Sequence, residues 1–240
     1  MNSLPRILYT ISYMALPLML AIVLHEYAHG WVANHYGDST ARQQGRLTLN
    51  PLAHVDLFGT VILPLLCLLI PGGFFLGWAK PVPINPARLH NPRRDMALVA
   101  AAGPGMNLLL AIGSALLLSI LLSIDPTLAD PLRAGPGQLP RRDLLGMLLL
   151  PLAAMSLFSV LINILLMVFN LIPIPPLDGG RVLTSLLPAH FAMALARLEP
   201  YGMLIIVGLI ILDPQIHVIR TITGTLLNFM ATTILPTVLQ

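Results

Sequence analysis

Three stretches of this 240-residue chain are almost free of charge: Ile7 to Gly37 holds one ionised side chain, Glu26, while 96–124 and 144–177 hold none. A helix needs about 20 mostly apolar residues, at ~1.5 Å each, to cross the hydrocarbon core of a bilayer. All three stretches are long enough, and each predicts a membrane span. The apolar run 200–212 and the uncharged tail 221–240 predict a further helical hairpin. Composition agrees, since 10% of residues are charged against roughly 25% in soluble domains. A net charge of +3 without any basic run excludes a nucleic-acid binder. Disordered tails and disulfide scaffolds are excluded as well, and the lone Cys67, within an apolar run, reads as a buried, inert thiol. The first apolar run has no small-residue cleavage site and continues into polar, histidine-bearing sequence, so it is expected to remain in the mature protein.

The run 57–70 has Pro64 inside and Pro71-Gly72-Gly73 after it, too short for a span, and predicts a re-entrant or interfacial segment. The loop beyond it carries Lys80, Arg88, Arg93 and Arg94, and loops rich in Lys and Arg stay cytoplasmic. The expected architecture is an all-α polytopic membrane protein. It is a helical bundle with one re-entrant or extended segment, forming a single domain over 1–240.

Inside the first span lies His25-Glu26-Tyr27-Ala28-His29. At 3.6 residues per turn the two histidines stack on one helix face, where both imidazoles reach one ion. Glu26, between them, is poorly placed as a ligand but suited to taking a proton from water at the metal. Ionisable groups cost ~2.5–3.5 kcal/mol at the centre of a span on insertion scales, which makes them functional candidates by default. The competing reading pairs Glu26 with a histidine inside the bundle.

A catalytic zinc site usually has three protein ligands. Asp178 is the candidate third, in Asn170-Leu-Ile-Pro-Ile-Pro-Pro-Leu-Asp178-Gly-Gly180, where prolines break the preceding helix and glycines let the backbone turn. Alternatively it caps the following helix. Topology favours the ligand: with 57–70 re-entrant, Asp178 falls on the same membrane side as His29.

In Gly103-Pro104-Gly105-Met106-Asn107, small residues allow close helix approach. The Asn107 amide is either a donor to the scissile carbonyl and its developing oxyanion or an interhelical tie. His54 reads as an extra ligand, an oxyanion partner, or a loop histidine paired with Asp56. The proline-rich stretch 77–86 must be extended. It either pairs with an unwound substrate or is a cytosolic loop anchored by Trp78. His35, His90, His190 and His217 have no comparable context.

Taken together, His25-Glu26-x-x-His29, Gly103-Pro104-x-x-Asn107 and Leu177-Asp178-Gly179 resemble the site-2 protease family of intramembrane zinc metalloproteases. The resemblance covers roughly 18–182. It implies one Zn2+ per chain held by His25, His29 and Asp178, Glu26 as general base and acid, and Asn107 positioning substrate. It implies a catalytic core at about 7–182 with additional C-terminal helices at about 183–240. His54 and the Trp78 to Pro83 loop are similar to features of compact microbial members. The loop between the second and third spans is too short for the peptide-binding insert of larger relatives. The expected activity is hydrolysis of peptide bonds in transmembrane or membrane-proximal segments of membrane proteins. The expected partners are such substrates and the lipid bilayer, without nucleic acid, in the plasma membrane with the site toward the cytoplasm. The rival readings are a membrane zinc-binding or transport protein and a non-catalytic homologue that binds membrane helices. The residues do not specify an oligomeric state.

Overall fold

The computed structural model describes residues 4–62, 79–133 and 144–234, all of them helix, turn or irregular chain without a strand. In chain order the helices are α1 (Leu4–His35), α2 (Thr40–Gln43), α3 (Pro92–Ile124), α4 (Ala129–Arg133), α5 (Leu144–Asn170), α6 (Asp178–Leu186), α7 (Ala189–Ala196), α8 (Glu199–Ile216) and α9 (Val218–Ile234). The all-α membrane architecture expected from the sequence is the one observed. Two described helices, α3 and α5 over Leu145–Asn170, are long and apolar enough to cross a membrane. The predicted first span is also a single long helix of 32 residues, α1. Its last third holds His25, Glu26, His29 and His35. The predicted C-terminal hairpin corresponds to α8 and α9, which meet at His217, a residue of positive φ (56°). Of the 57–70 run, Leu57–Ile62 forms one wide helical turn; the rest, with Cys67 and Trp78, lies outside the described residues.

The chain divides into two compact units. The first comprises the chain up to Ala21, Pro104–Ile172 and Pro200 onward. Its core is a seam of Ala111, Ala115, Leu118 and Leu122 from α3 against Ala153, Val160, Ile164 and Met167 from α5, joined by Met230 of α9. The alanines let helix backbones approach closely, as membrane helices require when lipid is as apolar as leucine. The outward residues are apolar too: Leu109, Leu116, Ile120, Leu148 and Leu152 are all exposed. Helices apolar on every side belong in lipid. Polar groups tie the seam, with Asn107 Nδ2 donating to Asn163 Oδ1 at 2.8 Å and Ser114 Oγ to Ser159 Oγ at 2.7 Å.

The second unit comprises Ile22–Gly103 and Pro173–Glu199. It holds the end of α1, the start of α3, the loops between them, α6 and α7. Ala33, Leu89 and Val99 form its small core, with Val32, Tyr36, Ile84 and Met96 around them. The chain leaves α1 through Gly37, whose φ of 105° suits only glycine and where a Cβ would meet His90 Nε2 at 2.8 Å. Asp38, fully buried, then ties its own turn to a distant segment: Oδ1 accepts the Thr40 N–H at 3.0 Å and Oδ2 the Asn85 N–H at 2.6 Å.

Candidate metal centre

The second unit contains every group of the predicted metal site. His25 and His29, one helical turn apart on α1, bring their Nε2 atoms to 3.1 Å with the rings edge to face. Asp178 Oδ2 lies 3.2 Å from His25 Nε2 and 3.3 Å from His29 Nε2. All three residues are buried. The prolines before Asp178 lie in a run of turns, and α6 starts at Asp178 itself, directly after its N-cap Leu177. Its carboxylate Oδ2 faces the two histidines, and the N-cap position is taken by Leu177. Gly180 permits this turn: a Cβ there would collide with the Pro175 nitrogen and the Ile174 carbonyl carbon.

These three atoms fit a metal ion on two independent grounds. His29 Nδ1 lies 2.7 Å from the Val99 carbonyl oxygen, which only accepts, so Nδ1 carries the proton and Nε2 of the neutral ring presents a lone pair. Asp178 Oδ2 is buried and accepts no hydrogen bond. A lone pair and a carboxylate oxygen that face one another in a buried site are both satisfied by one cation. The spacing agrees, because bonds of ~2.0–2.1 Å to a tetrahedral zinc set ligand atoms about 3.3–3.4 Å apart. Among the described residues, His25, His29 and Asp178 are the group that could hold a metal ion. His54 does not join it. That residue is buried, with Nε2 on the Thr48 carbonyl at 2.9 Å.

α3 closes the site with backbone. At Gly103 a Cβ would collide with His29 Nε2 and come within 2.5 Å of His25 Cε1. The sequence marks this glycine as a helix-packing residue; its partners are the rings of His25 and His29. Val99, whose carbonyl orients His29, has no side-chain signature that the sequence could reveal.

Glu26 turns toward the extended segment, where its Oε2 accepts the Val82 N–H at 2.8 Å. The described part of that segment, from Ala79, is held on both flanks. Lys80 N–H donates to the His54 carbonyl at 2.9 Å, and one Arg46 nitrogen reaches the Lys80 and Pro81 carbonyls at 2.9 and 3.3 Å. Pro81 and Pro83 have no N–H, and those of Lys80 and Val82 are bonded. Asn107 is fully buried in the first unit, where its Nδ2 donates to Asn163 Oδ1 and, at 3.4 Å, to the Ala21 carbonyl.

The model of Peptidase family M50 matches residues 13–212. The chain belongs to peptidase family M50. It is 35% identical over 201 residues to YwhC of Bacillus subtilis, whose name places it among the zinc metalloproteases; the match covers 83% of this chain and 80% of YwhC. It is 30% identical over 193 residues to Rip2 of Mycolicibacterium smegmatis, similarly named, covering 80% of this chain and 64% of the relative. Rip2 of Mycobacterium tuberculosis (strain H37Rv) is 29% identical over 191 residues, with 63% of its length covered. The chain thus spans a little under two thirds of the mycobacterial M50 relatives. No solved structure matches it. Membership in M50 makes this chain a metalloprotease of the site-2 type embedded in a membrane.

Proposed function

We propose that this M50 member is an intramembrane zinc endopeptidase, a single catalytic domain that hydrolyses peptide bonds within or beside transmembrane segments of other membrane proteins. One observation carries the reading: His25 Nε2, His29 Nε2 and Asp178 Oδ2 converge to 3.1–3.3 Å beside Glu26, in a chain built of lipid-compatible helices. His25, His29 and Asp178 hold the zinc, one per chain. When bound, zinc supplies a Lewis acid and lowers the pKa of water to about 7. Glu26 takes the proton as the water oxygen bonds to the peptide carbonyl carbon, then returns it to the leaving amine as the C–N bond breaks. His29 is kept in its ligating tautomer by Val99. Asn107 helps to position the scissile carbonyl or its oxyanion, a role in which one of its amide hydrogens changes partner from Asn163 or Ala21. A helical substrate unwinds locally before its carbonyl is exposed, and the extended 79–85 segment is where the unwound strand lies. Lys80, Arg88, Arg93 and Arg94 support a multi-pass plasma-membrane protein whose site faces the cytoplasm.

The deciding experiment measures zinc content and cleavage of a generic transmembrane substrate in detergent for wild type, Glu26→Gln and Asp178→Ala. The proposal expects near-stoichiometric zinc in wild type and Glu26→Gln, cleavage in wild type alone, and loss of zinc in Asp178→Ala. Cleavage by Glu26→Gln at the wild-type rate overturns the mechanism. Zinc without cleavage, accompanied by metal flux into vesicles, makes the protein a transporter.

A further inference from the structure

The hydrogen bond from Val82 to Glu26 joins the segment 79–85 to the middle of the metal-binding motif. Glu26 has three rotatable side-chain bonds, and nothing in its helix selects the rotamer that serves a reaction at the metal. The partner that selects it is a backbone group on a segment fixed from elsewhere. Arg46 clamps the Lys80 carbonyl, His54 receives the Lys80 N–H, and Asp38 receives the Asn85 N–H. Val82 is itself buried. A Cβ at Gly30, next to the ligand His29, would stand 3.0 Å from Val82 Cγ1, so the glycine lets this segment press onto α1. Prolines on both sides of Val82 hold it extended and remove competing donors.

We infer that the backbone N–H of Val82 is a positioning group for Glu26, pinning Oε2 so that the other carboxylate oxygen faces the reacting water. The inference rests on the reading of Glu26 as general base. It makes the segment 79–85 part of the proton-transfer apparatus in addition to any contact with substrate. The bond is charge-assisted, of the class whose loss matters most.

Two measurements test it. The first needs neither metal nor activity. Between residues 80 and 85 only Lys80, Val82, Ile84 and Asn85 carry amide hydrogens, so hydrogen exchange resolves them nearly singly. In metal-free protein, Glu26→Ala is expected to speed exchange at Val82 by roughly tenfold or more while Lys80 and Asn85 stay unchanged. Unchanged exchange at Val82 overturns the inference. The second is kinetic. Val82→Pro deletes the N–H with little change of backbone and is expected to lower kcat about tenfold with KM and zinc content unchanged. Val82→Ala keeps the N–H and stays near wild type. Lys80→Pro, which removes the neighbouring tie to His54, serves as the control for a loosened segment. Wild-type kcat in Val82→Pro, loss of its zinc, or an equal loss of kcat in Lys80→Pro overturns the inference. Should Glu26→Gln cleave normally, the protease mechanism fails and the positioning role with it; a dead Glu26→Gln beside a fully active Val82→Pro removes the positioning role alone.

Discussion

His29 donates its Nδ1–H to the Val99 carbonyl oxygen at 2.7 Å, and Gly103, one turn further along the same helix, lies against Nε2 of that ring. α3 therefore determines both the tautomer of His29, a proposed metal ligand, and the depth to which its ring seats. Outer-shell partners of this kind fix ring orientation and raise ligand basicity.

Gly103→Ala follows directly. The added methyl group would overlap both imidazoles, so the histidines must separate or α3 must retreat. Zinc affinity is expected to fall by about 10–100-fold, as for other outer-shell changes, and cleavage with it. Gly105→Ala, where a Cβ meets nothing within 4 Å, is the matched control and is expected to retain zinc and activity. Zinc titration of the two purified proteins decides, and equal affinity would show that the backbone contact is dispensable.

Gly180→Ala acts on Asp178, the proposed third ligand, from behind. Its Cβ would strike the backbone of Ile174 and Pro175, and reopening that turn carries Asp178 away from the histidines. A strained insertion of this sort costs about 1–3 kcal/mol. Here the expected readout is zinc loss that exceeds the loss of thermal stability of the metal-free protein. A variant that binds zinc normally would show that the turn has room to adjust.

Metal removal should also change stability. An ion that binds only the folded state stabilises it by about 2.7 kcal/mol at a free concentration of 100 Kd. Wild type and Glu26→Gln are expected to lose that increment on chelation and recover it with zinc. Asp178→Ala is expected to respond to neither treatment. Thermal unfolding in detergent measures all three, and a zinc response in Asp178→Ala would remove the carboxylate from the ligand set.

Asp38 illustrates what the sequence conceals. Its fully buried carboxylate receives N–H groups from Thr40 and Asn85. Asp38→Ala leaves those donors without their acceptor and is expected to destabilise the protein by about 2–3 kcal/mol, at the usual cost of a lost charged partner. Asp38→Asn keeps one acceptor oxygen and is expected to lose about half as much. Limited proteolysis near 80–90 should accelerate in the same order; equal rates would mean that the segment is held without Asp38.

The difference between what was legible and what was not is physical. His25, Glu26, His29 and Asp178 announce themselves because ionisable side chains in charge-free runs have few other reasons to exist. Helices α3 and α5 are equally plain, since lipid demands uninterrupted apolar length. The groups that orient the site are mostly main chain, namely the Val99 carbonyl, the Val82 N–H and the absent side chain at Gly103. Backbone groups are the same at every residue, so only a three-dimensional arrangement distinguishes them. His54 shows the converse: a histidine stands out in the sequence, yet only the structure shows that its Nε2 lies on the Thr48 carbonyl while its Nδ1 is buried without a hydrogen bond.

Asn107 and Asn163 offer the last test, because their pair separates a structural tie from a functional amide. Asn163 donates to its own helix at the Ser159 carbonyl (2.8 Å), which fixes its Oδ1 toward Asn107. Interhelical hydrogen bonds in membranes average only ~0.6 kcal/mol and reach at most ~1.7 kcal/mol. Asn163→Ala, Asn107→Ala and the double variant should therefore give a coupling energy of that small size in a double-mutant cycle of detergent unfolding. Activity is expected to divide where stability does not. If Asn107 also contacts the substrate, Asn107→Ala lowers kcat/KM about 100-fold or more beyond Asn163→Ala, in proportion to a lost oxyanion-type donor of roughly 2.7–4 kcal/mol. Equal activity losses in the two single variants would confine Asn107 to holding α3 against α5.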